Sequence, residues 1–236
     1  MGSVYRLTLR QLSGRWRLAI MTVLAAMPVI IAVLMLRDST APSVREFETA
    51  ILSAMLSGSI APLVVLAIAA AAFSNEVEDR TLANLTLSPV PRWQIVAPKL
   101  LATISIAGPF IAASALLTAH VAFIGDATAT IAVTVSALIG VAMYASLFLW
   151  LGLVSTQAIG IGLLYIVLWE GFISGFVVGA RLLSIRHYAI ALMHLLDERR
   201  FASSHLSPTF AIAMSTLVIG GFLFLSVRRL RRMDVP

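Results

Sequence analysis

Six apolar windows, each about 20 residues long, constrain this chain more than any other feature. They run from Trp16 to Leu36, Ile51 to Phe73, Leu100 to Ile124, Ile131 to Val154, Ile159 to Val178 and Thr209 to Val227. A helix rises about 1.5 Å per residue, so each window is long enough to cross a hydrocarbon layer roughly 30 Å thick. Inside lipid the backbone must satisfy its own hydrogen bonds, which makes every window a helix. Composition agrees, because 60% of the 236 residues are hydrophobic and only 12% are charged, against roughly 25% charged in a soluble domain. The expected fold is all-α: a single polytopic membrane domain over residues 1–236 with six transmembrane helices.

The chain has no cysteine, which excludes a disulfide scaffold, a thiolate metal site and a cysteine nucleophile together. Its net charge of +6 and pI near 10.7 raise the question of a nucleic-acid partner. The basic residues, however, stand at helix ends rather than in a stripe, so they read as topology signals and no nucleic acid is expected. An even number of spans leaves both ends on one side. Arg6, Arg10, Arg15 and Arg17 mark one end, and Arg228, Arg229, Arg231 and Arg232 the other. Both ends are therefore expected to be cytoplasmic. Ser74 to Pro98 then faces inward too, while Arg37 to Ala50 and Ala180 to Pro208 face outward. Arg181, Arg186, Arg199 and Arg200 run against this bias. The first window has the Arg-rich start of a signal peptide, but its apolar core is long and no small-residue cleavage pattern follows Arg37, so it is read as a retained span.

Ahead of that span, Tyr5, Leu9, Leu12 and Trp16 recur at helical spacing, with Arg6, Arg10, Ser13 and Arg17 one residue displaced. The pattern describes an interfacial helix over residues 1–15, anchored by Tyr5 and Trp16 with Arg6 and Arg10 toward anionic headgroups. Gly14 suits a break before the first span. The plainer reading is a charged start with no defined helix.

The connection from Ser74 to Lys99 is far longer than a turn and is internally patterned. Glu76 and Arg80 can pair four residues apart on a helix, and Leu82 and Leu85 share an apolar face. Pro89 and Pro91 stop that helix. Arg92 and Trp93 restart it at the membrane boundary. One reading is a short helix at the mouth of the bundle that docks a soluble partner. The other is an amphipathic connector resting on the membrane surface.

Glu78, Thr81 and Leu82, followed by the Leu-Ser-Pro-Val run of Leu87 to Val90, Arg92 and Lys99, resemble the loop between spans two and three of ABC type-2 transporter permeases. The basic interfacial start, the six spans and the long segment between spans five and six extend the resemblance in architecture. In that family the loop carries a coupling helix that contacts an ATPase subunit. The resemblance thus implies coupling through Glu78, Arg80, Thr81, Leu82, Leu85, Pro89 and Arg92, within a cytoplasmic coupling loop over residues 74–98. It also implies short re-entrant helices in the external segment 180–208, and substrate export across a plasma membrane, the inner membrane of a cell that has two.

The chain has no G-x-x-x-x-G-K-[ST] motif, and its one lysine, Lys99, follows Pro98; a phosphate-cradling loop has no candidate. The chain is therefore not expected to be an enzyme or to bind a cofactor. By resemblance, ATP and Mg belong to a separate nucleotide-binding subunit. A second copy of the permease completes the path, most simply as a homodimer with two ATPases.

Within the spans Glu170 stands out, because an acid at the end of the run Ile159 to Trp169 is expensive in lipid and a functional candidate by default. The segment from Leu168 to Gly175 also resembles span five of some ABC type-2 permeases. Glu170, with Trp169 and Gly171, is accordingly a candidate for the outer gate or the substrate path. Alternatively span five ends near Trp169 and Glu170 pairs at the surface with an arginine such as Arg181. Gly171, Gly175 and Gly179, four apart, either allow close helix approach or loosen a re-entrant turn. Pro28, Pro62 and Pro109 can kink their spans.

His187, His194 and His205 with Asp197, Glu198, Arg199 and Arg200 lack metal-ligand spacing and read as solvated charges on external helices. His120 reads as hydrogen-bonded within the bundle. An intramembrane serine protease would need a G-x-S-G nucleophile, which is absent. A secondary transporter or channel is the stronger rival, but such proteins use paired broken helices or several intramembrane charges, and neither is evident.

Overall fold

The computed structural model describes residues 2–12, 14–37, 43–70, 72–73, 91–201 and 206–232. Glu78, Arg80, Thr81, Leu82, Leu85 and Pro89 of the expected coupling helix, and His205, lie outside the described residues. Within them there are helices and turns but no strand.

A short N-terminal helix, Gly2–Leu12, precedes six long apolar helices: Arg15–Arg37, Val44–Ala69, Trp93–Ala122, Ala127–Val154, Ala158–Phe176 and Pro208–Arg232. Each overlaps one of the six windows. Between spans five and six lie a 3-10 turn, Val178–Leu183, and a connecting helix, Ile185–Leu196.

Local chemistry fixes the helix starts. Ser43 and Glu46 form a reciprocal capping box before span two, with the Ser43 N–H donating to the Glu46 carboxylate at 2.8 Å, which satisfies otherwise orphaned backbone donors. Asp126 caps span four by accepting from the Ala129 N–H at 3.1 Å, after a turn in which Gly125 takes φ +82°. A positive φ of this kind suits glycine because other residues pay for their Cβ there.

Spans two, three and four form the interior of the bundle, with 67%, 50% and 61% of their apolar windows buried. Spans one, five and six bury only 22%, 22% and 17% and present Ile20, Val23, Leu34, Leu164, Leu217 and Phe224 outward. In lipid such exposure costs nothing, and helix association rests on close packing instead. Two glycines provide it. A Cβ on Gly152 of span four would lie 2.7 Å from the Ala70 carbonyl oxygen at the end of span two, and one on Gly162 of span five 2.3 Å from Leu66 Cδ1. The series Gly171, Gly175 and Gly179 does not serve this purpose within the described residues: a methyl added at Gly175 or Gly179 would meet nothing within 4 Å, and one at Gly171 would meet only its own helix. They flank the extended residue Val177 (φ −101°, ψ 112°), where span five gives way to the 3-10 turn.

Two spans contain π-helical stretches, Glu48–Ile60 in span two and Tyr165–Ile173 in span five. Such widened turns, bonded from i to i+5, are uncommon and collect at functional sites. In span two Pro62 contributes a reason for the irregularity. It has no N–H for the carbonyl five residues earlier, that of Ser57, which accepts instead from the Tyr144 hydroxyl of span four at 3.3 Å.

Candidate functional site

The two π-helical stretches meet around Glu170, whose side chain is fully buried. Its carboxylate accepts from the Tyr165 hydroxyl at 2.8 Å, the Ser184 hydroxyl at 2.5 Å and the Ile185 backbone N–H at 3.0 Å. The π-helical turn brings residues five apart close together, which is how Tyr165 reaches Glu170. Ser184 caps the connecting helix, accepting from the His187 N–H at 3.4 Å, and Ile185 is that helix's first residue. The carboxylate therefore sits on a helix N-terminus, where unpaired N–H groups and the helix dipole favour negative charge. An acid that would be costly in lipid is held by contacts from its own span and from the connecting helix.

Arg186, the next residue, lies across both widened stretches. Its Nε donates to Ser53 Oγ of span two at 2.9 Å, and its Nη1 to the Glu170 backbone carbonyl at 3.3 Å. The side chain passes so close to Gly58 that a Cβ there would be 3.0 Å from Arg186 Cδ. Burial pushes the guanidinium below its ordinary pKa, and the nearby Glu170 charge opposes that shift. Trp169 Nε1 donates to the Leu183 carbonyl at 3.3 Å and so ties span five to the 3-10 turn. Gly171 is exposed on another face. Glu170 is thus interior, and Arg181 is not its partner: Arg181 Nη2 donates to the Gly175 carbonyl at 3.2 Å. The arginine that reaches into the site is Arg186, because it belongs to the helix whose N-terminus the carboxylate caps.

A second buried group joins the same elements at the far end of the connecting helix. Glu48, at the start of the π-helical stretch of span two, lies 2.5 Å from His194 Nε2. His194 stacks on Phe201, which meets Phe123 edge-on, and Phe123 meets Phe47 in the same manner. Arg200 stands over the Phe123 ring and 3.5 Å from Asp126. The reading of this segment as solvated charges needs correction here: His194 and Asp197 are buried, whereas Glu198 and Arg199 are exposed. The segment folds back onto spans two and four rather than standing clear of them, and a charged residue turned inward needs partners. His120 is also corrected, since it is exposed on span three rather than inside the bundle.

At the opposite end of the bundle Lys99 is 1% exposed, donates to the Ala72 carbonyl at 2.6 Å and lies 4.0 Å from the centre of the Phe73 ring. A lysine on the final carbonyls of a helix meets the negative end of its dipole. It joins the residues that follow span two to span three. Arg92 occupies the turn before span three, and Trp93 begins the helix. The N-terminal helix packs on span three, with Tyr5 Oη donating to Ser105 Oγ at 3.0 Å and Leu12 fully buried. Arg6 and Arg10 are exposed, and Trp16 is 83% exposed at the start of span one.

Sequence reasoning does not single out Tyr165, Ser184, Arg186 or Ser53. A buried acid must find donors, and the cap motif Ser184-Ile185-Arg186 is the local signal that could have pointed to them.

A multi-pass helical membrane protein, with a buried acid clamping the connection between its last two spans, is the class that this fold and site define. The model of the ABC-2 family transporter proteins matches residues 10–186, and the chain belongs to that family as a membrane component of an ABC transporter. The match ends within the Glu170 site, at Arg186. No curated protein matches the chain.

Proposed function

We propose that this chain is the permease half of an ABC exporter, driven by ATP hydrolysis in a separate nucleotide-binding subunit. The observation that carries the reading is the family match over residues 10–186 on a six-span bundle. The chain forms one permease domain over residues 1–236 in a plasma membrane, with both termini cytoplasmic. ATP and Mg are held by the partner, and a second copy completes the path as a homodimer with two ATPases.

Glu78, Arg80, Thr81, Leu82, Leu85, Pro89 and Arg92 form the docking surface for the ATPase. Lys99 supports this role, because its bond to the Ala72 carbonyl joins the two spans that bracket the loop. A push on the loop would then move spans two and three together. The widened half of span two ends on the Glu170 and Arg186 clamp, so a shift of that span reaches the outer segment directly. In this reading Glu170 latches the outer gate, with Trp169 and Gly171 beside it, and the enclosed carboxylate holds the closed state.

Affinity purification of the tagged chain from its native membrane tests the reading. A nucleotide-binding subunit should copurify, and replacing Leu82, Leu85 and Arg92 by alanine should release it while the permease stays folded. Transport that persists with no ATPase present would overturn the proposal.

A further inference from the structure

Glu170 and Ser184 are both fully buried, so water does not touch the carboxylate and a proton reaches it only along hydrogen bonds. Of its three donors, the Ile185 N–H is a backbone amide, which does not relay protons, and the Tyr165 hydroxyl lies within span five. The third, the Ser184 hydroxyl, leads out of the bundle. His187 is partly exposed in the first turn of the connecting helix, and its ring Nδ1 stands 2.9 Å from Ser184 Oγ. It occupies the third helical position after the Ser184 cap, from which the side chain of a capping box reaches back. Contacts of 2.9 Å and 2.5 Å therefore run without a break from the imidazole through Ser184 to the enclosed carboxylate.

Hydrogen-bond accounting fixes the direction of this chain. A serine hydroxyl has one proton and two lone pairs. Its proton lies on the Glu170 carboxylate, so the bond to the ring is one in which His187 Nδ1–H donates to Ser184 Oγ. That tautomer leaves the lone pair on Nε2, where the ring takes up a proton. From the imidazolium, the Nδ1 proton passes to Ser184 Oγ as the Ser184 proton passes to Glu170 Oε2. The products are a neutral imidazole with its proton on Nε2, a regenerated hydroxyl and a neutral carboxyl. Each bond survives with its direction reversed, Glu170 donating to Ser184 and Ser184 to His187, so the same atoms satisfy both states.

The other groups that bear on Glu170 are Tyr165 of its own span, Tyr144 of span four, and Arg186 and Tyr188 of the connecting helix, with Arg181 of the 3-10 turn facing Arg186. Span two contributes Ser53, through Arg186. Of these side-chain types and histidine, only the imidazole ordinarily changes charge near neutral pH. Arg186 bonds the Glu170 backbone carbonyl and Ser53, and neither bond is lost when the carboxylate takes a proton.

We propose that Glu170 is a proton-binding site, loaded from the connecting-helix surface by His187 through Ser184. Proton uptake there needs neither an ATPase nor transport, so it stands or falls separately from the permease reading.

The purified full chain in neutral phosphatidylcholine nanodiscs is acidified by rapid mixing and its carboxyl absorption followed by infrared spectroscopy, with Glu170→Gln identifying the part of the signal that belongs to Glu170. In the wild type that part should appear on acidification. His187→Ala should slow its appearance by about tenfold or more with its final size unchanged, and added imidazole should restore the rate by entering the vacated, partly exposed position. His120→Gln, at an exposed position on span three, should keep the wild-type rate. Ser184→Ala should be slow and insensitive to imidazole; if it misfolds, the His187→Ala comparison still decides. No signal that depends on Glu170, a His187→Ala rate equal to that of the wild type, or a slowing that imidazole does not reverse would refute the relay.

Discussion

Replacing Glu170 by alanine leaves the Tyr165 hydroxyl, the Ser184 hydroxyl and the Ile185 N–H without their acceptor in a buried region. At about 1–2 kcal/mol for each unpaired group the loss is about 3–6 kcal/mol. Glutamine behaves differently. Its oxygen can still accept from Tyr165 and Ile185, its amide can donate to Ser184 Oγ, and only the charge at the helix N-terminus is lost, about 1 kcal/mol. A chain of this size shifts by roughly 2–4 °C per kcal/mol. Thermal unfolding in nanodiscs should therefore fall by about 6–24 °C for Glu170→Ala and by about 2–4 °C for Glu170→Gln. If the carboxylate latches the gate, Glu170→Gln should stay folded yet alter the ATPase rate of the reconstituted complex. An unfolding temperature for Glu170→Ala equal to that of the wild type would refute the latch and the hydrogen-bond count together.

Gly152→Ala should abolish folded yield, because its methyl meets the Ala70 backbone oxygen at 2.7 Å, whereas Gly175→Ala, with open space around it, should be recovered at wild-type levels; size-exclusion profiles compare the two. Lys99→Met keeps an apolar stem against Phe73 but removes the bond to the Ala72 carbonyl. It should express normally and lose the coupling between ATP hydrolysis and movement of spans two and three, read as ATPase activity that no longer responds to reconstitution. A C-terminal fluorescent fusion should fluoresce, and a reporter that is active only outside the cytoplasm should stay silent at the same place, if both ends are cytoplasmic.

The spans are legible in the sequence because lipid imposes one length and one backbone solution on each, so apolar windows alone bound them to within a few residues in most cases. Glu170 is legible for the same reason, as an acid inside such a run. Its partners are not. Arg186 looks like one more exception to the charge bias, and only the fold shows it reaching Ser53, 133 residues away in sequence. Glu48 and His194 are 146 residues apart and carry no shared local pattern. The π-helical stretches are equally hidden, since hydropathy reports how apolar a turn is and not whether it bonds from i to i+4 or i+5.

The segment proposed to dock the ATPase, residues 74–98, is the most direct place to test whether this chain is driven by a separate motor. The chain has no cysteine, so a single cysteine at Leu85 and another at the exposed Glu198 can each be paired with a short thiol-reactive crosslinker in native membranes. The account predicts a crosslink from position 85 to a nucleotide-binding subunit that changes with added ATP, and none from position 198. A loop cysteine that captures no ATPase while the complex still transports would contradict it.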